Sequence, residues 1–403
     1  MPRRLLFFAP FLFALYLGFA LSHATRFRDV FRSVCDLTEN HFYKADAALI
    51  DWVLECRRHA ARVPFGTTTA GLLERIQDEM NEMRVSHFQI YNPAEDRKLW
   101  TGESEDTGIR ARYVEDKLVV YRVLKGSAGE SAGVRAGDEI VKLPGAGQVT
   151  PWGAYRRSGP FVLRRQGQEL TIDVQAVVFQ VDMNPTVTVY GSSAVLEIPS
   201  FRSEFFDPDD WRDLAAKLKP FRHVIVDLRD NAGGNFVAML RALSPFTCSA
   251  KRIGAIVQPR KAGAAKRTFD DDTEDARQID LLLKYREIGL ETFGTYGCLD
   301  ARVTVLVDSD TSSVAEFFAN TFLNSKRGRV WGQPTAGNVV LAVWYDLPAL
   351  GKGYSVSVPE AVYVTPGGEE LEGRGVFPQM ELFYELEPSL AGRDGWIEMA
   401  LKN

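Results

Sequence analysis

Histidine is scarce in this sequence, with 5 residues among 403. A catalytic base of this type therefore has few candidates, which are His23, His41, His59, His87 and His223. Cysteine is also rare, and its four residues do not show the Cys-x-x-Cys spacing of a metal or redox site. The sequence thus gives no indication of a metal or a cofactor.

The sequence also lacks a basic excess, internal repeats and low-complexity segments. Acidic residues outnumber basic ones by 53 to 48, and no basic stripe with interleaved aromatic residues is present, so we do not expect a nucleic-acid partner. With 45% hydrophobic and 25% charged residues, the composition is that of a globular protein. The chain is long enough for two or three domains.

An apolar run follows two basic residues, Arg3 and Arg4, at the N-terminus. A short positive segment, an apolar core and small residues up to Ala24 predict an export signal over residues 1–24. The mature protein would then be periplasmic or secreted. The run also approaches the length that spans a bilayer, so an uncleaved membrane anchor is the alternative.

Four cysteines follow the predicted signal, and an even number in an exported chain permits disulfides. The sequence allows three pairings, of which we expect the local one, Cys35 with Cys56 and Cys248 with Cys298. The alternative is four buried free thiols. Any such pairing is structural rather than catalytic.

Apolar residues recur at three- and four-residue spacing in the first part of the mature chain. The runs AALIDWVLECRRHAARV and LLERIQDEMNEM each present one apolar face, and the first ends before Pro64. The pattern predicts an N-terminal helical domain over residues 25–104. Near its end the helical spacing changes to the strand-like alternation of VSHFQIYN.

Short β-rich runs separated by glycine turns follow over residues 105–179. The segment KGSAGESAGVRAGDEIVKLPG resembles the signature of a PDZ domain, a fold that binds a peptide as an added strand and holds its carboxylate with backbone amides. The resemblance places this carboxylate loop at Gly108, Ile109 and Arg110, although a glycine is expected where Arg110 stands. The alternative interpretation is that the glycines of this segment only form tight turns.

After residue 180, continuous Val/Ile/Leu runs alternate with helix-like segments, which predicts an α/β layered domain over residues 180–403. The run HVIVDLRDNAGGN predicts a buried strand that ends in a turn at Gly233 and Gly234. Because adjacent glycines let backbone amides approach a ligand, this turn is a candidate oxyanion hole. On its own, the glycine pair is also explained as an ordinary turn.

The stretch VDSDTSSVAEFF places Ser312 and Ser313 between a strand and a helix. Ser313-Val-Ala-Glu316 fits a capping box, in which the serine hydroxyl and the glutamate bond free amides of the first turn. The same location suits a nucleophile, because the first helical amides lack partners and the Val314 amide would lie beside an acyl intermediate. The local sequence leaves both interpretations open.

A nucleophilic serine needs a base, and the local sequence leaves His41 and His87 as candidates. His23 lies in the predicted signal, while His59 and His223 have the surroundings of surface or boundary residues. His41 suits helix packing, and His87 stands where a helical segment passes into a strand. Composition does not rank His87 above His41.

Four motifs occur in a fixed order along the chain: DLRDNAGG, TSSVAEFF, GQPTAGN and LEGRGVFP. Together they resemble the C-terminal processing, or tail-specific, serine peptidase family, over nearly the whole mature chain. The resemblance implies an α+β multidomain fold with an N-terminal helical domain, a PDZ domain and a crotonase-like α/β catalytic domain. It also implies hydrolysis of protein or peptide substrates without metal or cofactor.

The family has two catalytic arrangements. One branch uses a Ser-Lys dyad, but the lysine position is Asn338 here, and an amide cannot act as a general base. The other branch, like the tricorn core protease, uses serine, histidine and glutamate. Matched to its motifs, Ser313 is the nucleophile and His87 the base, while Glu372 orients the histidine and Ser86 links into that network.

The resemblance implies an exported serine endopeptidase whose PDZ domain recruits substrate. Its oxyanion hole would consist of the Val314 amide with that of Gly233 or Gly234. The family's Gly-Val-x-Pro turn usually continues with aspartate where Gln379 stands, a position we interpret as structural, and Asp227 is interpreted as support for the glycine turn. An inactive peptide- or ligand-binding scaffold on the same fold is the alternative, and an acyl-transfer or lactone-hydrolysing enzyme is a third hypothesis.

Overall fold

The computed structural model describes residues 8–261, 266–323 and 328–403. The N-terminal part is helical, as the apolar spacing predicts, and side chains of Asp46 and Thr68 cap the second and third helices. These helices are α1 Phe8–His41, α2 Ala47–Ala61 and α3 Thr69–Asn81.

The predicted export signal lies only partly within the described residues. Residues 1–7 are outside them, and residues 8–24 belong to the first part of α1. In the described ranges, no helix combines the length and the apolar character that a membrane crossing requires.

An antiparallel five-stranded sheet occupies the segment that resembles a PDZ domain. The elements from here to residue 180 are β1 Gln89–Tyr91, α4 Pro93–Thr101, β2 Glu103–Asp106, β3 Ile109–Val114, β4 Lys117–Val123, α5 Ala128–Ser131, β5 Glu139–Lys142, α6 Pro151–Arg156, β6 Gly159–Arg165, β7 Gln168–Val174 and β8 Val177–Gln180. The sheet order is β3-β4-β5-β6-β7, and its apolar face forms a small core of its own. Most of the predicted β-rich segment therefore forms one sheet, while β8 pairs with β2 in a separate two-stranded sheet.

Two larger sheets and their helices form the rest of the chain. Their elements are β9 Thr186–Tyr190, β10 Ser193–Glu197, the 3-10 turn Ser203–Phe205, α7 Pro208–Leu218, β11 His223–Asp227, α8 Phe236–Thr247, β12 Arg252–Val257, β13 Lys266–Thr268, α9 Asp275–Lys284, β14 Glu287–Glu291, β15 Arg302–Val307, α10 Val314–Leu323, β16 Gly328–Gly332, β17 Val340–Asp346, β18 Ser355–Val364, β19 Met380–Glu381, α11 Leu386–Leu390 and α12 Gly395–Lys402.

The first of these sheets carries two of the sequence motifs at one edge. Its order is β19-β16-β15-β11-β10-β9, parallel except between β9 and β10. The apolar residues of β11 and β15 are buried in a core that includes α8 and α10. Because neighbouring parallel strands end at the same edge, the DLRDNAGG turn after β11 lies beside the TSSVAEFF stretch after β15.

The second sheet connects the N-terminal helices to the C-terminal part of the chain. Its order is β1-β18-β12-β14-β13, with β17 also paired to β18. Apolar residues of β17 and β18 share one core with α1, α2 and α3. Strand β1 pairs antiparallel with β18, with Gln89 opposite Ser357. Since His87 stands two residues before Gln89, this pairing brings His87 to the C-terminal sheets.

The mixed α/β multidomain architecture predicted from the sequence is confirmed. The expected local disulfides are also confirmed: Cys35 is bonded to Cys56, and Cys248 to Cys298. The first joins α1 to α2, and the second joins the end of α8 to the segment before β15. The alternative of four free thiols is therefore wrong.

Candidate active site

The loop between β15 and α10 determines the position of Ser313. Its backbone has φ of +60°, in the left-handed region that a non-glycine residue adopts at a cost. Its amide donates to the carbonyl of Asn338 at 3.1 Å and to Oε1 of Glu316 at 3.1 Å. These two bonds hold Ser313 immediately before the first helical residue, Val314.

Only half of the predicted capping box is formed. Glu316 accepts from the Ser313 amide, but the Glu316 amide donates to the Ser313 carbonyl at 2.9 Å rather than to the hydroxyl. Within the described residues the Ser313 hydroxyl makes no hydrogen bond. The cap therefore does not account for this hydroxyl.

Glu316 fixes the loop that runs past Ser313. Its buried carboxylate accepts from the hydroxyl of Thr335 at 2.5 Å and from the amides of Gly337 and Asn338 at 2.9 Å each. Burial raises the pKa of the Glu316 carboxyl, and these hydrogen bonds act in the opposite direction. The role of Glu316 is thus to position the loop.

Gly233 lies directly against Ser313. A Cβ at position 233 would stand 2.6 Å from the Ser313 Cβ and 3.0 Å from its Oγ, so no side chain fits there. The Gly233 amide donates to Oδ1 of Asn231 at 2.8 Å. The amides of Gly234 and Val314 have no acceptor in the described part of the chain. Two of the three predicted oxyanion donors are therefore unengaged.

Ser86 joins His87 to Glu372. Its hydroxyl lies 3.0 Å from Nδ1 of His87 and donates to Oε2 of Glu372 at 3.0 Å. Its amide donates to Oε1 of the same carboxylate at 2.8 Å. The amides of Val339 and Val340 donate to Oε2 at 2.8 and 3.1 Å. The structure thus brings together three of the four residues matched to the family's catalytic group.

One loop contacts both halves of the site. The carbonyl of Asn338 accepts from Ser313, and the next two amides donate to Glu372. The serine and the Ser86–His87–Glu372 group are therefore neighbours along a three-residue segment. No hydrogen bond joins Ser313 Oγ to His87 among the residues that the structure describes.

His87 has a strained backbone conformation and a desolvated imidazole ring. Its φ is +54°, and its carbonyl accepts from the Ser357 hydroxyl at 2.7 Å. Burial lowers the pKa of its imidazole to about 4, so the ring is neutral at neutral pH. With the proton on Nδ1 donated to Ser86, the Nε2 lone pair is left to accept a proton.

Three other histidines, His41, His59 and His223, are bonded elsewhere. Their partners are Tyr345 for His41 at 2.9 Å, Glu79 for His59, and Thr304 for His223 at 2.8 Å. His87, in contrast, lies 3.0 Å from Ser86, a residue of the predicted triad network. The geometry thus separates His87 from His41, which composition does not.

The predicted carboxylate loop has internal hydrogen bonds. The amide of Gly108 donates to Oδ1 of Asp106 at 2.5 Å, and that of Ile109 donates to the Thr107 hydroxyl at 3.1 Å. The guanidinium of Arg110 lies 3.4 Å from the Asp106 carboxylate. Carboxylate capture at this loop requires the two amides to exchange these acceptors for the ligand.

Asn231 is a residue of the site to which the sequence assigned no role. Its fully buried side chain accepts from Gly233 and donates to the carbonyl of Ile198 at 2.7 Å. An asparagine two residues before the first glycine of a glycine pair was the available signal, because a buried amide side chain needs hydrogen-bond partners. Nearby, the Asp227 carboxylate binds the Arg229 guanidinium at 2.6 Å, in the segment that leads to the glycine turn.

Three carboxylates beside the glycine turn could hold a cation. Ligand oxygens of Asp230, Asp308 and Asp310 lie within 4.8 Å of one another. Burial, and then the charge of Asp230, raise the pKa of Asp308 to about 6. Asp230 also accepts from the Tyr121 hydroxyl at 2.9 Å and lies 4.0 Å from Arg122. Protein donors therefore already satisfy part of this group.

Sequence comparison relates the chain to a known peptidase family. Residues 192–382 match the model of Peptidase family S41. A probable CtpA-like serine protease of Staphylococcus aureus (strain N315) is 20% identical over 292 residues, which are 70% of this chain and 53% of that protein. The chain thus spans about half the length of this curated relative.

Two solved structures share the fold over most of the chain. The photosystem II D1 C-terminal processing protease has a TM-score of 0.54 at 18% identity, over 90% of this chain and 94% of that one. Mature CPAF complexed with lactacystin has a TM-score of 0.61 at 12% identity, over 94% and 97% of the two chains. At these identities the likeness concerns the fold.

Proposed function

Because the chain belongs to the peptidase S41 family, we propose that it is a serine endopeptidase that hydrolyses peptide bonds in protein or peptide substrates. Ser313 is the nucleophile and His87 the general base. Glu372 orients the histidine through Ser86. The observation that carries the proposal is the hydrogen-bonded Ser86–His87–Glu372 group beside a serine whose hydroxyl has no partner among the described residues.

In the acylation step, Ser313 Oγ attacks the carbonyl carbon of the scissile bond and His87 Nε2 takes the hydroxyl proton. The resulting imidazolium donates through Nδ1 to Ser86, which donates to the Glu372 carboxylate. His87 then gives its proton to the leaving amine as the C–N bond breaks. Water activated by the same histidine hydrolyses the acyl-serine. Substrate binding closes the Ser313–His87 hydrogen bond that attack requires.

The oxyanion of the tetrahedral intermediate needs amide donors at the start of α10. The Val314 amide is the first candidate, because the first helical amides lack intrahelical partners and carry the positive end of the helix dipole. Gly234 supplies the second donor. Gly233 provides the close backbone approach to Ser313, and its amide takes part only when Asn231 releases it.

The chain divides into three functional units in this proposal. Residues 25–104 supply the base from the helical part, residues 105–179 form a PDZ domain, and residues 180–403 form a crotonase-like catalytic domain. The PDZ domain binds substrate as an added strand. Its loop at Gly108, Ile109 and Arg110 holds a terminal carboxylate.

We place the protein outside the cytoplasm, in the periplasm or secreted. The basic and apolar N-terminus supports export. The two disulfides support an oxidising compartment as well. Retention of residues 1–24 would anchor it to the membrane instead.

A serine-directed fluorophosphonate probe tests the proposed nucleophile directly. The wild-type protein should be labelled covalently and should cleave an unfolded protein substrate. Ser313→Ala should lose both, whereas Ser312→Ala, a change at the neighbouring serine, should retain both. Equal labelling of the Ser313→Ala variant would reject Ser313 as the nucleophile.

A catalytically inactive binding scaffold is the second candidate function. It is favoured by the bond from the Gly233 amide to Asn231 and by the missing Ser313–His87 hydrogen bond in the described residues. If wild type and Ser313→Ala are equally inactive on unfolded protein while both still bind peptides, the scaffold is the function.

A further inference from the structure

A cavity of about 350 Å³ separates the five-stranded sheet from the C-terminal segment of the chain. Arg112 and Tyr121 line it from β3 and β4, and Tyr384 and Trp396 line it from the opposite side. We call this cavity the Arg112 cleft. It is distinct from the predicted carboxylate loop, because residues 108–110 do not line it.

Arg112 differs from the other arginines of the cleft in having no carboxylate within ion-pair distance, although the charge of Asp230 acts on it. Its guanidinium forms no ion pair and no hydrogen bond with another described residue, and its Nε is buried without an acceptor. The neighbouring arginines are paired with carboxylates, which are Glu197 for Arg122, Asp394 for Arg229 and Glu398 for Arg393. A buried N–H donor without an acceptor, such as this Nε, is costly and indicates a missing acceptor.

The two tyrosines restrict how that acceptor can approach. The Cζ atom of Arg112 lies 3.5 Å from the ring centroid of Tyr121 and 4.0 Å from that of Tyr384. Two rings this close to one carbon leave little room over the faces of the guanidinium. Only its edge, where the N–H donors point, is left for a ligand. An edge of this kind matches a planar oxyanion in bidentate geometry.

We infer that the Arg112 cleft binds a ligand with one carboxylate on an apolar body. A carboxylate is planar and carries one negative charge. A dianionic phosphate would meet stronger repulsion, because Tyr121 bonds Asp230, and Asp308 and Asp310 lie beside that residue. Apolar surface for the body of the ligand comes from the exposed side chains of Phe383 and Met399.

Calorimetric titration of the full-length protein with N-acetyl-phenylalanine tests this inference. The acid should bind saturably, and its uncharged analogue N-acetyl-phenylalaninamide should bind at least about tenfold more weakly, as expected for a charged hydrogen bond. Inorganic phosphate should not compete. Equal binding of acid and amide, absence of saturable binding, or competition by phosphate would each overturn the inference, and none of these results depends on a variant.

Two variants locate the ligand. Arg112→Gln should weaken binding of the acid at least about tenfold. The matched control Arg164→Gln, on β6 of the same sheet and paired with Glu139 at 3.0 Å, should leave it unchanged. Loss of binding in Arg110→Gln, with none in Arg112→Gln, would place the ligand at the loop of residues 108–110 and reject the cleft.

The chemical source of the carboxylate is tested with a longer probe. Acetyl-Ala-Ala-Phe should bind more tightly than N-acetyl-phenylalanine when the natural ligand is a peptide C-terminus. Equal affinity would assign the cleft to a small organic acid. Both results retain the site, which does not depend on the proposed peptidase function.

Discussion

Ser86 gives Glu372 two hydrogen bonds, one from its amide at 2.8 Å and one from its hydroxyl at 3.0 Å. The two residues are 286 positions apart in the chain. Their contact joins the end of the N-terminal helical segment to the loop after β18. The contact therefore joins two distant segments of the chain. It is also the second hydrogen bond in the proposed chain from His87 through Ser86 to Glu372.

Glu372→Gln should damage both activity and stability. The carboxylate accepts four hydrogen bonds, and the amide nitrogen of glutamine accepts none, so at least one donor loses its acceptor at a cost of about 1–3 kcal/mol in the free energy of unfolding. The imidazolium also loses its counter-charge, and kcat/KM should fall about a hundredfold or more. Peptide hydrolysis and urea unfolding measure the two effects.

The matched control for that change is Glu370→Gln. Glu370 is exposed and pairs with Lys44 at 3.0 Å, a surface contact worth about 0–1 kcal/mol. The Glu370→Gln substitution should leave kcat/KM unchanged. Equal losses from the two substitutions would contradict the role given to Glu372.

Ser313→Ala should separate activity from stability. Because the Ser313 hydroxyl makes no hydrogen bond in the described part of the chain, its removal should change the free energy of unfolding by less than about 0.5 kcal/mol. The rate constant kcat should fall by on the order of a thousandfold or more. Thermal unfolding and steady-state kinetics check the two values. A large loss of stability would show that the hydroxyl acts as a helix cap.

The pH dependence of kcat/KM should report the lowered pKa of His87. The base must be neutral to accept a proton, and burial places its pKa at about 4. Activity should therefore stay constant from neutral pH down to about 5 and decrease only near pH 4, whereas an ordinary histidine would give a midpoint near about 6.5. A midpoint near 6.5 would exclude the buried neutral imidazole as the base.

The same shift links His87 to stability. Between about pH 6.5 and 4 the unfolded state binds a proton that the native imidazole does not, so the free energy of unfolding decreases as the pH falls through this range. His223, whose pKa burial also lowers to about 4, adds to the effect. Urea titrations at several pH values, on wild type and on His87→Gln, separate the two contributions.

Much of the fold followed from local sequence patterns. Buried strands such as β11 and β15, the amphipathic helix α3 and the disulfide pairing are determined by short stretches or by nearby cysteines. The α/β arrangement then places the two motifs after β11 and β15 at one edge, because parallel neighbours end together.

The contacts within the site did not follow from local patterns. Ser313-Val-Ala-Glu316 fits a capping box, yet the backbone at +60° directs the Glu316 amide to the Ser313 carbonyl instead of the hydroxyl. The bond from Gly233 to Asn231 depends on a side-chain rotamer. Long-range pairing of β1 with β18, which brings in His87, is set by tertiary packing rather than by either strand alone.

Removal of either disulfide should destabilise the protein without changing the catalytic group. The bonds span 21 and 50 residues, so chain entropy predicts losses of about 3 and 4 kcal/mol in the free energy of unfolding. Paired Cys→Ser variants, compared with wild type in denaturant, measure these losses. Activity per folded molecule should be unchanged, and an unfolding midpoint insensitive to reductant would contradict the prediction.

Asn338→Ala should have little effect on turnover, in contrast to His87→Ala. Asn338 contacts the site through its backbone, where its carbonyl accepts from Ser313 and its amide donates to Glu316, and alanine keeps both groups. Its side chain makes no hydrogen bond within the described residues. We expect kcat/KM within about threefold of wild type for Asn338→Ala and a loss of about a hundredfold or more for His87→Ala. Comparable losses would mean that position 338 takes part in proton transfer, which the histidine mechanism excludes.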